Sequence, residues 1–128
     1  MFESTSPNKA LMRRIYEEMW NRADLSRAAE IFAQPEGVER FVRQFLLAFP
    51  DLQHTLEEMI EEGDRVAVRF TASGTHTGQW LHYGPTGKSI LYTGVTLARI
   101  SGGRIIEHHT WWDKAGLMQQ VAGNKLIE

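Results

Sequence analysis

The chain has 128 residues, of which 42% are hydrophobic and 23% charged, with 14 Lys and Arg against 16 Asp and Glu. This length predicts a single domain over residues 1–128. The net charge of −2 and the pI near 6.2 argue against a nucleic-acid-binding domain, which usually carries a basic stripe and a pI above about 9. The lack of cysteine excludes a thiol nucleophile, thiolate metal sites and disulfides.

Residues 1–8 contain no basic segment followed by an apolar stretch, so they do not resemble a secretory signal. No apolar run in the sequence approaches the roughly 18 residues that a membrane span needs. We therefore expect a cytoplasmic protein with no membrane partner and no nucleic-acid partner.

The first 50 residues have helical periodicity. Ser6 followed by Pro7 is typical of an N-cap and the first helical position, Asp24 predicts the cap of a short second helix, and Pro50 ends a third. Each helix has an apolar stripe with three- and four-residue spacing, which is typical of core packing. The stripes are Leu11, Met12, Ile15, Tyr16, Met19 and Trp20; Leu25, Ala28, Ala29, Ile31 and Phe32; Val38, Phe41, Val42, Phe45, Leu46 and Phe49.

After Pro50 the sequence is rich in β-branched and aromatic residues, which predicts strands over 52–60, 66–75, 88–100 and 104–112. Hairpin turns are predicted at 61–64 and 101–103, and a short C-terminal helix begins at Asp113. Helices followed by an antiparallel meander indicate an α+β fold. We expect a cone-shaped α+β barrel, with N-terminal helices packed on a curved, mainly antiparallel sheet that encloses a cavity.

The last predicted hairpin brings several polar residues onto one face. A three-residue loop at 101–103 would pair Thr96 with His108 and Gly94 with Thr110. A few polar groups among aromatic residues are typical of a small-molecule pocket, and core residues with satisfied hydrogen bonds are the alternative interpretation. The residues on this face are Tyr92, Gly94, Thr96, His108, Thr110 and Trp112.

The opposite face of the same hairpin is also largely apolar. A monomer rarely exposes a large apolar sheet face, so we expect this face to contact a second subunit in a homodimer. Its residues are Val95, Leu97, Ile105, Glu107, His109 and Trp111.

The sequence offers little support for a metal site or a carboxylate pair. His108 and His109 are adjacent on a strand and point to opposite faces, so they cannot chelate one ion. We expect no metal and no cofactor. Asp113 precedes a helix and is explained as its cap. Among the acidic residues near 57–64, only Glu58 alternates in phase with Leu56 and Ile60.

Motifs along nearly the whole chain resemble those of SnoaL-like polyketide cyclases, and they occur in the same order. This resemblance implies the cone-shaped α+β fold shared with ketosteroid isomerase and nuclear transport factor 2, and a homodimer. The motifs are NKAL at 8–11, YEEMWNRADL at 16–25, FPDL at 49–52, EGDRV at 62–66, GTHTG at 74–78, PTGK at 85–88, GRIIEH at 103–108 and DKAGLMQQ at 113–120.

The resemblance also implies site positions. In the characterised cyclases an aspartate in the last strand is the general acid/base of an aldol closure, and its position matches Thr110. The histidine and glutamine that help to bind the substrate match Thr96 and Gly94. A threonine hydroxyl titrates too far from neutral pH to act as a general base, so this chemistry does not carry over directly. The connection at 32–38 is shorter than in the family, which predicts a cavity wall that is open or completed by a partner chain.

Two functions stay open. The first is a cyclase, isomerase or hydrolase acting on a small polyketide- or ketone-like compound, with His108 as general acid/base because its ordinary pKa is near 6.5. Thr96 and Thr110 would orient the substrate, and Tyr92 would donate to an oxyanion. The second is a non-catalytic module for hydrophobic-ligand binding or dimerisation, favoured by the threonine at position 110. The other residues assigned to the pocket are Gly94, Trp112, His54 and Glu58.

Overall fold

The computed structural model describes residues 6–122, which form four α-helices and a curved four-stranded antiparallel sheet in the order β1-β2-β3-β4. The core lies between the helices and one face of this sheet, so the predicted α+β fold is confirmed. The helices are α1 (Pro7–Arg14), α2 (Ala28–Ile31), α3 (Glu36–Ala48) and α4 (Lys114–Ala122), and the strands are β1 (Gln53–Glu62), β2 (Arg65–Thr75), β3 (Ser89–Ser101) and β4 (Arg104–Trp112).

The first helix changes its hydrogen bonding before it ends. Ser6 caps it as predicted, with its hydroxyl accepting from the backbone N–H of Lys9 at 3.0 Å. The segment Ile15–Trp20 then continues as a π-helix, and the N–H of Asn21 donates to the carbonyl of Tyr16 at 2.8 Å. π-Helical turns occur frequently at functional sites. No helix within residues 6–122 has the length and apolar character required to cross a bilayer.

The connection between α2 and α3 consists of residues 32–35. Phe32 forms a single parallel bridge with Ile105, and the N–H of Ala33 donates to the carbonyl of Ile105 at 2.9 Å. The connection is therefore attached to the sheet at β4. Phe32, Gln34 and Glu36 then line the cavity on this side.

A β-bulge in β1 changes which side chains face inward. Leu56 and Glu58 pair with successive residues of β2, so Glu57 is the extra residue. The bulge inverts the alternation beyond it, and Ile60 is 60% exposed. Glu58 lies on the outer face with its Oε1 3.3 Å from Nε of Arg69. The assignment of Glu58 to the pocket is wrong because it assumed an unbroken alternation.

The β3–β4 turn is one residue shorter than predicted. Ser101 pairs with Arg104 around a two-residue turn. Gly102 and Gly103 have φ values of +62° and +79°. Two positive φ values in succession are typical of a type I′ hairpin turn, which favours glycine at both positions.

A bulge in β4 then shifts the pairing by one further residue. Arg99 pairs with Glu107 while Ile100 pairs with Ile105. Thr96 consequently lies opposite Thr110, so the predicted pairing of Thr96 with His108 is wrong by two residues. From Glu107 onward, the shift of two residues keeps each side chain of β4 on its predicted face. The structure therefore has Thr96, His108 and Thr110 on one face of the sheet.

The same bulge changes the composition of the outer face. Ile105, predicted to lie on this face, is buried at 2% exposure because the bulge turns it inward, and Ile106 is 51% exposed instead. The exposed apolar residues on this part of the sheet, called the outer apolar face below, are Val95, Leu97, Ile106 and Trp111.

Gly94 lies in β3 where the side chain of Phe70 from β2 and the backbone of β4 pack closely against it. A Cβ atom at this position would be 2.6 Å from Cζ of Phe70, 2.8 Å from the carbonyl oxygen of Trp111 and 2.9 Å from Cβ of Trp112. The space expected to admit a ligand is therefore occupied by protein. The assignment of Gly94 to the pocket is wrong, and the residue serves close packing.

We expect Gly94→Ala to lower the free energy of unfolding by about 1–3 kcal/mol, because the added methyl group overpacks the core. Urea unfolding followed by circular dichroism measures this change. Gly37→Ala is the matched control, since a Cβ at Gly37 meets nothing within 4 Å and the residue lies in α3. An unchanged unfolding midpoint for Gly94→Ala would contradict the packing role.

Candidate functional site

A cavity of about 610 Å³ lies between the helical layer and the inner face of the sheet. Its wall is mainly aromatic, and polar side chains from β1, β3 and β4 also line it. The aromatic residues are Tyr16, Trp20, Phe32, Phe41, Phe45, Phe70, Tyr92 and Trp112, and the polar residues of these strands are His54, Thr96, His108, Thr110 and, at the rim, His109.

Three hydroxyl groups form a hydrogen-bonded chain across the cavity wall. The Tyr16 hydroxyl donates to Oγ1 of Thr96 at 2.6 Å, and Oγ1 of Thr96 lies 2.8 Å from Oγ1 of Thr110. Since Thr96 accepts from Tyr16, its own proton is free to be donated to Thr110. The proton of Thr110 then remains for a group in the cavity, where Thr110 is exposed.

Tyr16 was not predicted as a site residue, because its position in an apolar helical stripe indicated core packing. Burial raises the pKa of Tyr16, and its hydrogen bond to Thr96 lowers the pKa by a smaller amount. The phenol therefore stays protonated at neutral pH and acts as a fixed donor. The presence of a tyrosine in a buried helical stripe could have indicated this role, since a buried tyrosine hydroxyl usually requires a hydrogen-bond partner.

His108 lies at the cavity mouth on β4. Its ring packs 5.1 Å from the ring of Phe32, measured between centroids, and the side chain remains accessible to solvent through the cavity. The surrounding protein lowers the pKa of His108, and the neighbouring His109 lowers it further. The imidazole is therefore predominantly neutral at pH 7 and can accept a proton.

His54 lies in the aromatic wall, 7% exposed. Its ring centroid is 4.8 Å from that of Trp20 and 5.2 Å from those of Tyr16 and Phe70. Burial lowers the pKa of His54 to about 3, so the ring is neutral. Nδ1 has no hydrogen-bond partner among residues 6–122.

Asn21 holds the backbone of His54 in place. Its side-chain oxygen accepts from the N–H of His54 at 2.7 Å, and its side-chain nitrogen donates to the carbonyl of His54 at 3.0 Å. Asn21 follows the π-helix directly, so the end of the first helix fixes the start of β1. This pairing places His54 against the ring of Tyr16.

Tyr92 and Trp112 complete the inner wall. Their ring centroids are 5.2 Å apart, and that of Trp112 is 5.4 Å from that of Phe45. Burial raises the pKa of Tyr92, with a smaller contribution from Tyr16, so its hydroxyl is protonated at neutral pH. That hydroxyl makes no hydrogen bond with other described residues, which leaves it available to a ligand.

Two other predicted features have clear positions in the structure. The carboxylate of Asp113 accepts from the N–H of Gly116 at 2.9 Å, which confirms Asp113 as the cap of α4. His109 pairs with Leu97 and lies on the outer side of β4, although it reaches the cavity rim. Within residues 6–122, no group of three or more His, Asp or Glu side chains is arranged to hold a metal ion.

Solved structures with this fold support a family assignment. IdmH from Streptomyces antibioticus, a proposed polyketide cyclase, matches with a TM-score of 0.80 at 26% identity, covering 90% of this chain and 98% of its own. AclR from Streptomyces galilaeus, a proposed hydroxylase, matches with a TM-score of 0.81 at 28% identity, covering 92% and 82%. A proposed SnoaL-like polyketide cyclase from Jannaschia has a TM-score of 0.85 at 22% identity, covering 91% and 92%, and shows the fold alone.

A comparison with curated proteins finds no match. The family model described as SnoaL-like polyketide cyclase matches residues 10–121. The matched range includes both ends of the hydroxyl chain and the whole sheet. Because the family model matches most of the sequence, the chain belongs to the SnoaL-like polyketide cyclase family.

Proposed function

We propose that this protein binds a small, mainly apolar ketone in the cavity and transfers a proton at the carbon beside its carbonyl group, as a cyclase or isomerase does. The observation that carries this proposal is the hydroxyl chain from Tyr16 through Thr96 to Thr110, which ends beside the neutral imidazole of His108. The chain supplies a donor, and the imidazole supplies a base. The aromatic wall suits an apolar carbon skeleton.

The spacing of the donor and the base suits one small ligand. His108 and Thr110 are two residues apart on β4 and share a face, so their Cα atoms are about 6.8 Å apart. A ligand lying between them can place its carbonyl oxygen against Thr110 and an adjacent C–H bond against His108. Both side chains can then act on the same carbonyl group.

The proposed reaction begins with transfer of a proton from carbon to His108. His108 takes the proton from carbon, the electron pair of the C–H bond forms a carbon–carbon double bond, and the π pair of the carbonyl group moves to its oxygen, which becomes an enolate oxygen. Thr110 donates a hydrogen bond to that oxygen, polarised by the donors behind it. In an isomerisation, His108 returns the proton to another carbon. In a ring closure, the enolate carbon attacks a second carbonyl group, and the alkoxide oxygen formed there takes the proton from His108.

A second candidate function is binding without catalysis. Thr110 stands at the position where the family resemblance implies the acid/base aspartate, and this substitution favours a binding role. The fold also accommodates more than one chemistry, since the similar structures include one described as a hydroxylase and one described as a polyketide cyclase. Catalysed hydrogen exchange distinguishes the two candidates.

We expect the wild-type protein to accelerate hydrogen–deuterium exchange beside the carbonyl of 2-tetralone, measured by NMR in D2O above the uncatalysed rate. His108→Gln should lower kcat/KM by about 10²–10⁴-fold, the usual share of a general base. Because burial holds the pKa of His108 below 6.5, kcat/KM should be level near pH 7 and fall as the pH decreases through that lowered pKa. His82→Gln, an exposed histidine outside the cavity lining, is the control.

Two results would exclude parts of this proposal. Binding of 2-tetralone without any catalysed exchange would leave only the binding function. Exchange that survives in His108→Gln would show that another group is the base.

We expect Tyr16→Phe to lower the exchange rate about 5- to 10-fold, the equivalent of about 1 kcal/mol for one hydrogen bond, while the retained ring keeps the aromatic packing. Thr110→Val should lower the rate by at least as much. The double variant should lose less than the sum of the two changes, since both act through Thr96. Tyr83→Phe is the control for loss of a tyrosine hydroxyl. If the losses in the double variant were additive, Tyr16 and Thr110 would not act through the same hydroxyl chain.

We also propose that the protein is a homodimer that buries the outer apolar face. The support is its exposure, with Trp111 59% and Val95 37% accessible in the single chain. Sedimentation should give about 29 kDa, twice the 14.6 kDa chain. Trp111→Arg should shift the protein toward 14.6 kDa, whereas Ala10→Lys on the exposed side of α1 should not. A monomer at the highest soluble concentration would contradict the dimer.

A further inference from the structure

A second depression of about 450 Å³, called the side groove below, lies next to the cavity and shares three aromatic residues with it. Its remaining walls come from the end of α3, the irregular segment after β2 and the start of α4. The shared residues are Phe41, Phe45 and Trp112, and the walls used in the argument below are Leu47, Leu81 and Lys114.

The shared residues form a row of rings between the two spaces. The ring centroid of Phe45 is 5.1 Å from that of Phe41 and 5.4 Å from that of Trp112. Phe41 is 47% exposed, so the row is accessible from solvent at one end. A flat molecule that fills the cavity can extend along these rings into the side groove.

Leu81 projects from a turn whose geometry does not favour leucine. Trp80 and Tyr83 exchange two backbone hydrogen bonds at 3.0 and 2.9 Å, and Leu81 has a φ of +55° while His82 does not have a positive φ. A positive φ at the first central residue alone is the pattern of a type II′ turn, where glycine is preferred.

The leucine side chain contributes little to the core, since Leu81 is 51% exposed and Leu47 beside the same groove is 67% exposed. Backbone strain of this kind is concentrated at ligand clamps and other functional positions. The side chain of Leu81 is therefore best explained by a contact that forms when the side groove is filled.

Among residues 6–122, Lys114 is the only charged side chain that lines the side groove. It forms no ion pair with residues 6–122, and the carboxylate of the adjacent Asp113 is directed to the N–H of Gly116 as the cap of α4. The opposite rim of the cavity carries Glu36. An anionic group would be attracted to the Lys114 end and repelled from the Glu36 end, which fixes one orientation of a long ligand.

We propose that the side groove extends the binding site and takes the far end of an elongated, flat ligand whose anionic group contacts Lys114. This inference rests on the proposed function, because it assumes that the ketone end of the ligand occupies the main cavity. Phe41, Phe45 and Trp112 contact the middle of the ligand, and Leu81 covers its far end.

Three compounds test the inference: 2-tetralone, 2-tetralone with a 3-carboxypropyl chain on ring carbon 6, and the methyl ester of that acid. Dissociation constants come from equilibrium dialysis, with tryptophan fluorescence as a second readout. The wild-type protein should bind the acid most tightly and 2-tetralone least tightly. Lys114→Gln should weaken binding of the acid about two- to fivefold, the range of a partly exposed ion pair, and leave the ester and 2-tetralone unchanged.

Leu81→Gly removes the side-chain contact without disturbing the fold. Glycine suits the positive φ at this position and should preserve or raise the thermal midpoint of unfolding. It should weaken the acid and the ester about threefold or more through lost apolar contact, without changing the affinity for 2-tetralone. Arg65→Gln, at the distant β1–β2 hairpin, controls for the loss of a positive charge and should leave all three affinities unchanged.

The outcomes distinguish this inference from the proposed function. If 2-tetralone binds but neither long compound binds more tightly, the side groove is not part of the site and the proposed function stands. Equal affinities of the acid for Lys114→Gln and wild type would overturn the anionic contact. If none of the three compounds binds to the wild-type protein, both proposals fail.

Discussion

The hydrogen bond from the Tyr16 hydroxyl to Oγ1 of Thr96 is the constraint on which the cavity depends. Tyr16 is 3% exposed, and a buried hydroxyl that loses its partner costs about 1–3 kcal/mol. The first helix therefore cannot rotate or slide along β3 without a penalty. Asn21 holds the end of the first helix on β1 in the same way, because its side chain makes hydrogen bonds with both the N–H and the carbonyl of His54. Between them, these contacts fix the helix on two strands.

The interior that these contacts create contains no formal charge at neutral pH. Tyr16 and Tyr92 are protonated because burial raises each pKa, and His54 and His108 are neutral because burial lowers each pKa. Among residues 6–122, the Asp, Glu, Lys and Arg side chains that line the cavity or the side groove are Glu36 and Lys114. A neutral base acting with neutral donors suits carbon acids that are already activated by a carbonyl group. The same arrangement favours an apolar ligand body with any charged group held at the surface.

Local patterns were sufficient to predict the order and type of the elements, because caps and apolar spacing act over a few residues. They could not show the two β-bulges. The bulge at Glu57 displaced Glu58 from the cavity, whereas the shorter turn and the bulge near Ile106 moved the last hairpin in the same direction by one residue each. A shift of one residue would have exchanged the faces of β4. The prediction of the face on which His108 lies was correct because the two shifts together amount to two residues.

The sequence did not predict Tyr16 as a site residue for a different reason. Its partner lies 80 positions further along the chain, and spacing within one helix carries no information about such a contact. The short-range pattern showed only that the residue would be buried. Gly94 illustrates the same limit, since the space beside it depends on where Phe70 and Trp112 pack.

The hydroxyl chain also explains what a threonine at position 110 does to the chemistry. An aspartate there, as the family resemblance implies for the cyclases, would end the chain as an acceptor, because a carboxylate takes the proton that Thr96 donates. A threonine accepts the same bond and retains a proton to donate onward. The substitution therefore changes the end of the chain from a base into a donor. In the proposed reaction a base is then required elsewhere on the same face, and His108 is two residues away on β4 with a neutral imidazole.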